Sequence, residues 1–322
     1  MDVQATPVDR NFARFAWFTL GFNLLVILWG VFLRASKSGD GCGQHWLTCG
    51  GEVIPSAPQL KTVIEFSHRL TSGLALIAVV VLVVWAFRAF PKKHILRKLA
   101  FASLVFIILE ALLGAGLVLT GNTAEALTPA RPFWMAGHLI NTFTLVALLS
   151  LTAWLAGGGS VFGFNVPRKV LILLFLGVLG VFIVGMSGST AALSSMLFPS
   201  TTLAEGFAQD FSDTSHFLLR LRISHPILSI ALGVYLYCLA LWAIKKAPEN
   251  FWVKRWANVL TLIVILQLIA GGLTLVMLAP IVMQLVHLLL AELLWISFTL
   301  MSADFLAAQE RPFSPQDTKN TR

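Results

Sequence analysis

Seven histidines occur in the 322-residue chain, and four of them recur with a regularity that suits metal binding. His68, His138, His225 and His287 each fall early in an apolar stretch, one in every second stretch along the chain. Imidazole is the side chain suited to iron, copper or zinc, and an ionisable group inside a membrane is a functional candidate by default. Two histidines on facing helices of a four-helix bundle can bind haem iron from both sides, with the macrocycle between the helices. That arrangement can be written twice here, as His68 with His138 and as His225 with His287. The bland alternative is four helix-end histidines met by neighbours or headgroups. It explains each one singly but not their recurrence. His45, His94 and His216 read as solvated or interfacial.

Glu65 lies three residues before His68, so both side chains project from one helix face. A carboxylate beside a ligand in a low-dielectric site can accept or donate a proton. The structural alternative pairs it with Arg69 or Arg34. An internal repeat sharpens the contrast. Ile64-Glu65-Phe66-Ser67-His68-Arg69-Leu70 aligns with Leu221-Arg222-Ile223-Ser224-His225-Pro226-Ile227 at an offset of 157. The same offset sets Ile108-Leu109-Glu110 over Ile265-Leu266-Gln267, and Gly114 over Gly271. His68 then corresponds to His225, and His138 is matched with His287 as the histidine of the last span in each half, eight residues out of that register. Glu65 corresponds to Arg222, which stays protonated and cannot exchange protons. The expectation is a reaction site in the first half and a permanent cofactor in the second. Gly114, Gly116, Gly271 and Gly272 leave room for a flat ring or for close helix packing. Arg69, Arg131, Arg220 and Arg222 lie near the same mouth, as contacts for haem propionates or as ordinary snorkelling side chains.

The elements that must position these residues are membrane helices. Of the chain, 57% is hydrophobic and 12% charged, and the apolar residues come in runs. Val259–Ile281 contains no charge at all, and about 20 apolar residues match the thickness of a bilayer core. A soluble enzyme, a disordered chain and a disulfide-rich secreted module are excluded. The net charge of +8 does not point to nucleic acid, because Lys and Arg in a membrane protein are counted by connector. The fold class is an all-α polytopic membrane protein with eight spans at roughly 15–33, 62–87, 97–119, 133–156, 169–187, 216–244, 252–278 and 281–304. They form two pseudo-symmetric four-helix halves, 1–157 and 168–304, joined by a linker at 158–167 and followed by a tail at 305–322. The second connector carries Arg88, Lys92, Lys93, Arg97 and Lys98, the fourth Arg168 and Lys169, the sixth Lys245, Lys246, Lys254 and Arg255. Basic connectors face the cytoplasm, which puts both termini inside and the four histidines near the outer surface. Met1–Arg14 holds two acids, two bases and no Ser, unlike a cleaved signal or a transit peptide, and this favours a bacterial plasma membrane. Cys42 and Cys49 share the first outside connector, where a disulfide is permitted. A zinc site at Cys42, His45 and Cys49 is the competing reading and lacks a fourth ligand. Cys238, inside the sixth span, reads as a small buried apolar residue.

Together these features resemble the haem A synthases of bacteria and mitochondria. The resemblance covers nearly the whole chain: eight spans in two four-helix halves, Glu65-x-x-His68, His138, His225, His287, and the Cys42/Cys49 pair. It implies oxidation of the methyl group at ring position 8 of haem O to a formyl group, through two hydroxylations to a geminal diol that loses water. It further implies a haem b cofactor, with its iron on His225 and His287, substrate haem O between His68 and His138, and a catalytic Glu65. The implied partners are a haem O synthase and the terminal oxidase assembly, with membrane lipid around the helices and a homo-oligomer as one option. Two departures stand out. The fifth outside loop, Ser187–Ser215, has no cysteine pair, and the first loop lacks the prolines of many members. A di-haem b-type electron-transfer cytochrome is the alternative, and it leaves the Glu65/Arg222 contrast unused. A transporter built on the repeat would need a midplane polar site and interrupted helices, whereas the ionisable residues identified above cluster at the outer mouth.

Overall fold

A computed structural model describes residues 9–310, and among these every regular element is a helix. In order they are α1 Arg10–Ala35, α2 Leu60–Ala89, α3 Ile95–Leu119, α4 Arg131–Ala156, α5 Arg168–Leu197, α6 Leu203–Phe211, α7 Phe217–Arg222, α8 Ser224–Lys246, α9 Phe251–Val276 and α10 Ile281–Glu310. Eight spans are long and apolar enough to cross a membrane, with α7 and α8 counted together as one. Local chemistry sets their starts. Asp9 accepts from the amides of Asn11 and Phe12 at α1, and Asn250 from Val253 at α9. His94 and His216 do the same with ring nitrogens, accepting from Leu96 and Leu218. These two histidines are therefore helix caps, each satisfying an orphan donor.

The helices are turned inside out relative to a soluble protein. Large apolar side chains such as Phe18, Leu25, Ile77, Phe175, Ile230 and Leu262 face outward, where lipid is their solvent. Thr19, Asn23, Ser103, Asn141, Ser150 and Ser194 are buried between helices. Cys238 also faces outward on α8, which corrects the buried reading, since a lipid-facing position accepts a small apolar residue equally well. Helix α1 packs on α2 and α4, α2 on α3, and α3 on α4. In the second set α5 packs on α7 and α8, α8 on α9, and α9 on α10. Contacts of α4 with α5 and α10, and of α1 with α10, join the two sets.

Three boundaries differ from the apolar runs. The fifth span continues ten residues past 187, to Leu197. Its hydroxyls are satisfied within the helix, Ser187 donating to the Val184 carbonyl at 2.9 Å and Thr190 to Met186 at 3.0 Å, so polar composition does not end it. The sixth span breaks at Ile223, between α7 and α8. Pro226 lacks an amide proton and crowds the carbonyl of Arg222, four residues back. The last span runs to Glu310, with Asp304, Phe305, Leu306 and Ala307 buried, so the first six residues of the expected tail are helical. The remainder of that tail and Met1–Val8 lie outside the described residues.

Candidate functional site

Each of the four histidines stands about two turns into its span, on α2, α4, α8 and α10. The ring of His68 lies over Gly30 of α1, where an added Cβ would come within 3.0 Å of the ring. His138, on α4, has Nδ1 at 3.2 Å from Oε1 of Glu110 on α3, approaching it obliquely and short of a formed hydrogen bond. Glu110 is held by Asn141, whose Nδ2 donates to Oε2 at 2.5 Å, and by the Thr142 hydroxyl, which donates to Oε1. His68 and His138 are close enough to act on each other electrostatically.

The second set repeats this plan with different partners. The ring of His225 lies over Gly188 of α5, at 2.8 Å from where a Cβ would stand, and Nδ1 meets the Ser187 hydroxyl at 3.1 Å. The ring of His287 lies over Gly271 of α9, with 3.0 Å to the corresponding Cβ position, and Nε2 is 3.3 Å from the Gln267 amide nitrogen. The two rings meet edge-on, nearly perpendicular, with centroids 6.3 Å apart. His225 and His287 would be the side chains to hold a metal-bearing ring in this set. Nδ1 of His68, His138 and His287 are buried without hydrogen-bond partners, as ligand rings awaiting a fixed orientation would be. The donor set, the orphaned nitrogens and the glycine cradles fit a haem in each set.

Glu65 is buried, 3% exposed. Its Oε1 accepts from Arg69 Nη2, and its Oε2 accepts from the Cys42 amide at 2.8 Å. Arg69 also donates through Nη1 to the carbonyls of His45, Trp46 and Thr48 at 2.6, 3.0 and 3.0 Å. The connector between α1 and α2 is thus fastened to the helix that carries His68. Cys42 and Cys49 within it are disulfide-bonded, which leaves no thiolate for the zinc reading. Arg34 is engaged elsewhere, donating to Gln284 Oε1 at 3.3 Å. At the position matching Glu65, Arg222 pairs with Asp210 at 2.6 Å and donates to the Gly206 carbonyl at 3.2 Å, fastening α6. Arg131 is buried and donates to the Ala126 carbonyl at 2.7 Å, while its Nε has no partner. Arg220 donates to the Asp213 carbonyl at 2.7 Å.

Of the four glycines singled out in the sequence, Gly271 alone lies against one of these histidines. Gly116 accommodates Trp134, and Gly114 and Gly272 have open space beside them. Gly30 and Gly188 were missed, although both fall one helix before their histidine and 158 residues apart. Two deeper acids on α10 were also missed. Glu292 is buried with neither oxygen partnered, and Asp304 is buried with Oδ1 3.3 Å from Trp154 Nε1. Ionisable groups are therefore not confined to the outer mouth.

The fold and site define a polytopic helical membrane protein that carries four partly buried histidines on four of its spans. Residues 13–299 match the family described as cytochrome oxidase assembly protein (COX15-CtaA), and the chain belongs to that family. A Thermus thermophilus protein named protoheme IX farnesyltransferase is 42% identical over 301 residues, and its counterpart from a second strain of that species equals that figure. The match covers 94% of this chain and 49% of theirs, so the chain spans about half the length of these curated relatives. A heme A synthase of Alkalihalophilus pseudofirmus is 28% identical over 288 residues, covering 87% of this chain and 92% of that protein. This company does not favour the di-haem electron carrier.

Proposed function

We propose that the protein is a haem A synthase of a bacterial cell membrane, oxidising the methyl at ring position 8 of haem O to a formyl group by two hydroxylations and loss of water. The observation that carries the reading is that a carboxylate stands against a histidine in the first pair, Glu110 Oε1 at 3.2 Å from Nδ1 of His138, while a buried Glu65 lies one turn before His68 on the same helix. Substrate haem O belongs between His68 and His138, and resident haem b between His225 and His287. Haem iron, when bound, supplies the redox chemistry that no side chain can. The protein supplies position and proton handling. Gly30, Gly188 and Gly271 let the histidine rings approach the neighbouring helix backbones. Arg69 and the disulfide-closed loop cover the first site from the outer side. Glu65, oriented by Arg69 and the Cys42 amide, takes or relays the proton released as the methyl carbon is oxidised. Arg131, with an unpartnered Nε, meets a propionate, and Arg69 and Arg222 line the same mouth. The basic second, fourth and sixth connectors face the cytoplasm, with both termini on that side.

The Thermus relatives are named for transferring a farnesyl group to protohaem IX. We assign that activity to the part of them this chain does not match. Transfer of a farnesyl group from its diphosphate calls for carboxylates that hold a divalent cation on the leaving diphosphate, and here the acids are dispersed. Asp210 is committed to Arg222 and Glu65 to Arg69, and the described residues hold no group of three metal-ligating side chains. A protohaem IX farnesyltransferase is then the partner that makes the substrate, and terminal oxidase assembly receives the product. Expression with and without such a transferase, followed by haem extraction and chromatography, tests this. Haem A is expected only with the transferase present. Haem b alone under both conditions would make the protein an electron carrier.

A further inference from the structure

We infer that Glu110 is a positioning residue that holds His138 with Nε2 toward substrate haem and makes it a stronger electron donor to that iron than its counterpart His287. The inference rests on the reading that a haem lies between His68 and His138. Asn141 and Thr142 follow His138 by three and four residues, so one face of α4 both presents the imidazole and grips the carboxylate. The Asn141 amide is itself anchored, because Nδ2 also donates to the Phe106 carbonyl of α3 at 2.8 Å. Asn141 and Thr142 both donate to Glu110, which suits a carboxylate.

Oε1 stands 3.2 Å from Nδ1 of His138, and a modest ring rotation aligns an N–H···O bond. An imidazole bound to iron through Nε2 carries its proton on Nδ1. A carboxylate that accepts from that N–H fixes the ring and raises its basicity. More electron density at the iron favours the oxidised state and lowers the reduction potential. In the second set the matching position of the repeat is Gln267, whose amide nitrogen lies 3.3 Å from Nε2 of His287. The partner again comes from the neighbouring helix, but it is neutral and meets the other ring nitrogen. Nδ1 of His287 is buried without a partner, so of these two rings only that of His138 has a carboxylate beside Nδ1.

Potentiometric titration of full-length, haem-loaded protein tests this, with the first-site haem defined as the one lost in His68→Ala. Glu110→Gln removes the charge and keeps the size. It should shift that haem to a more positive midpoint and change its ferric low-spin resonance, leaving the His225/His287 haem where it was. Gln267→Glu should shift the second haem to a more negative midpoint. Glu110→Asp, which keeps the charge, should restore part of the first shift. Unchanged potentials in Glu110→Gln and Gln267→Glu would overturn the inference, as would equal shifts in Glu110→Gln and Glu110→Asp. If Glu110→Gln does not fold, the Gln267→Glu shift decides by itself. Wild-type protein with no His68-dependent haem would overturn the underlying reading as well, which separates the two failures.

Discussion

At the scale of single residues, the contrast between the halves is a matter of which charges stand beside the histidines. Glu65 meets an arginine and a backbone amide, and both stabilise its charged form. Glu65→Gln keeps the size, can accept from only one of these two donors, and removes proton exchange. General acid–base groups contribute roughly 10²–10⁴-fold in rate, so haem A should fall by that order and haem O or its alcohol accumulate in extracts. Haem at His225/His287 should be retained. Normal haem A from this variant would leave Glu65 as a fastening for the outer loop. Replacing His225 or His287 by Ala removes one axial ligand, and the low-spin haem b spectrum of purified protein should be lost. Persistence of a wild-type reduced spectrum in both variants would refute the assignment of the resident haem to the second set.

At the scale of helices and loops, close approach and closure decide the geometry. Gly188 lets His225 lie against α5, so Gly188→Val should displace the ring and lower haem occupancy, read from the Soret absorbance per chain, while the protein still inserts and folds. Wild-type occupancy in that variant would show that the ring does not need the close approach. In the connector between α1 and α2, the disulfide closes a short loop and stabilises it by about 2–3 kcal/mol in the chain-entropy model. Its opening would free the Cys42 amide from Glu65. The pair Cys42→Ser and Cys49→Ser should weaken haem A formation yet keep the His225/His287 haem. Full activity in this variant would separate the loop from catalysis.

At the scale of the whole molecule, α4 and α10 do two jobs. Each carries a histidine near one end, and together they seal the two helix sets against each other. Trp295 on α10 donates to the Phe143 carbonyl on α4 at 2.7 Å and packs against Phe143, Phe182 and Phe298. The histidine sites are thus hung from a shared, tightly packed seam. Trp295→Ala should destabilise by about 3–5 kcal/mol, as loss of a buried aromatic does, and should disturb both haem spectra together. A change confined to one spectrum would show that the sets fold as separate units.

Much of this architecture was legible in the chain itself. Apolar runs of bilayer length can only become helices where no water satisfies the backbone, so the eight spans and their approximate ends follow from composition. The offset of 157 paired His68 with His225 because a repeat preserves register. It also aligned Glu110 with Gln267, although their contacts with His138 and His287 depend on how α3 and α9 rotate about their axes. Helix α5 outran its apolar stretch because serine and threonine bonded to their own helix, and the break at Ile223 marked a proline that composition alone had absorbed into one span. The glycine cradles at Gly30 and Gly188, the fastening of the cysteine loop by Glu65 and Arg69, and the burial of Glu292 depend on packing between distant segments. Periodicity fixes which residues share a helix face. Tertiary structure decides what that face meets, because helices within a bilayer associate through local fit and polar contacts rather than through burial of apolar surface from water.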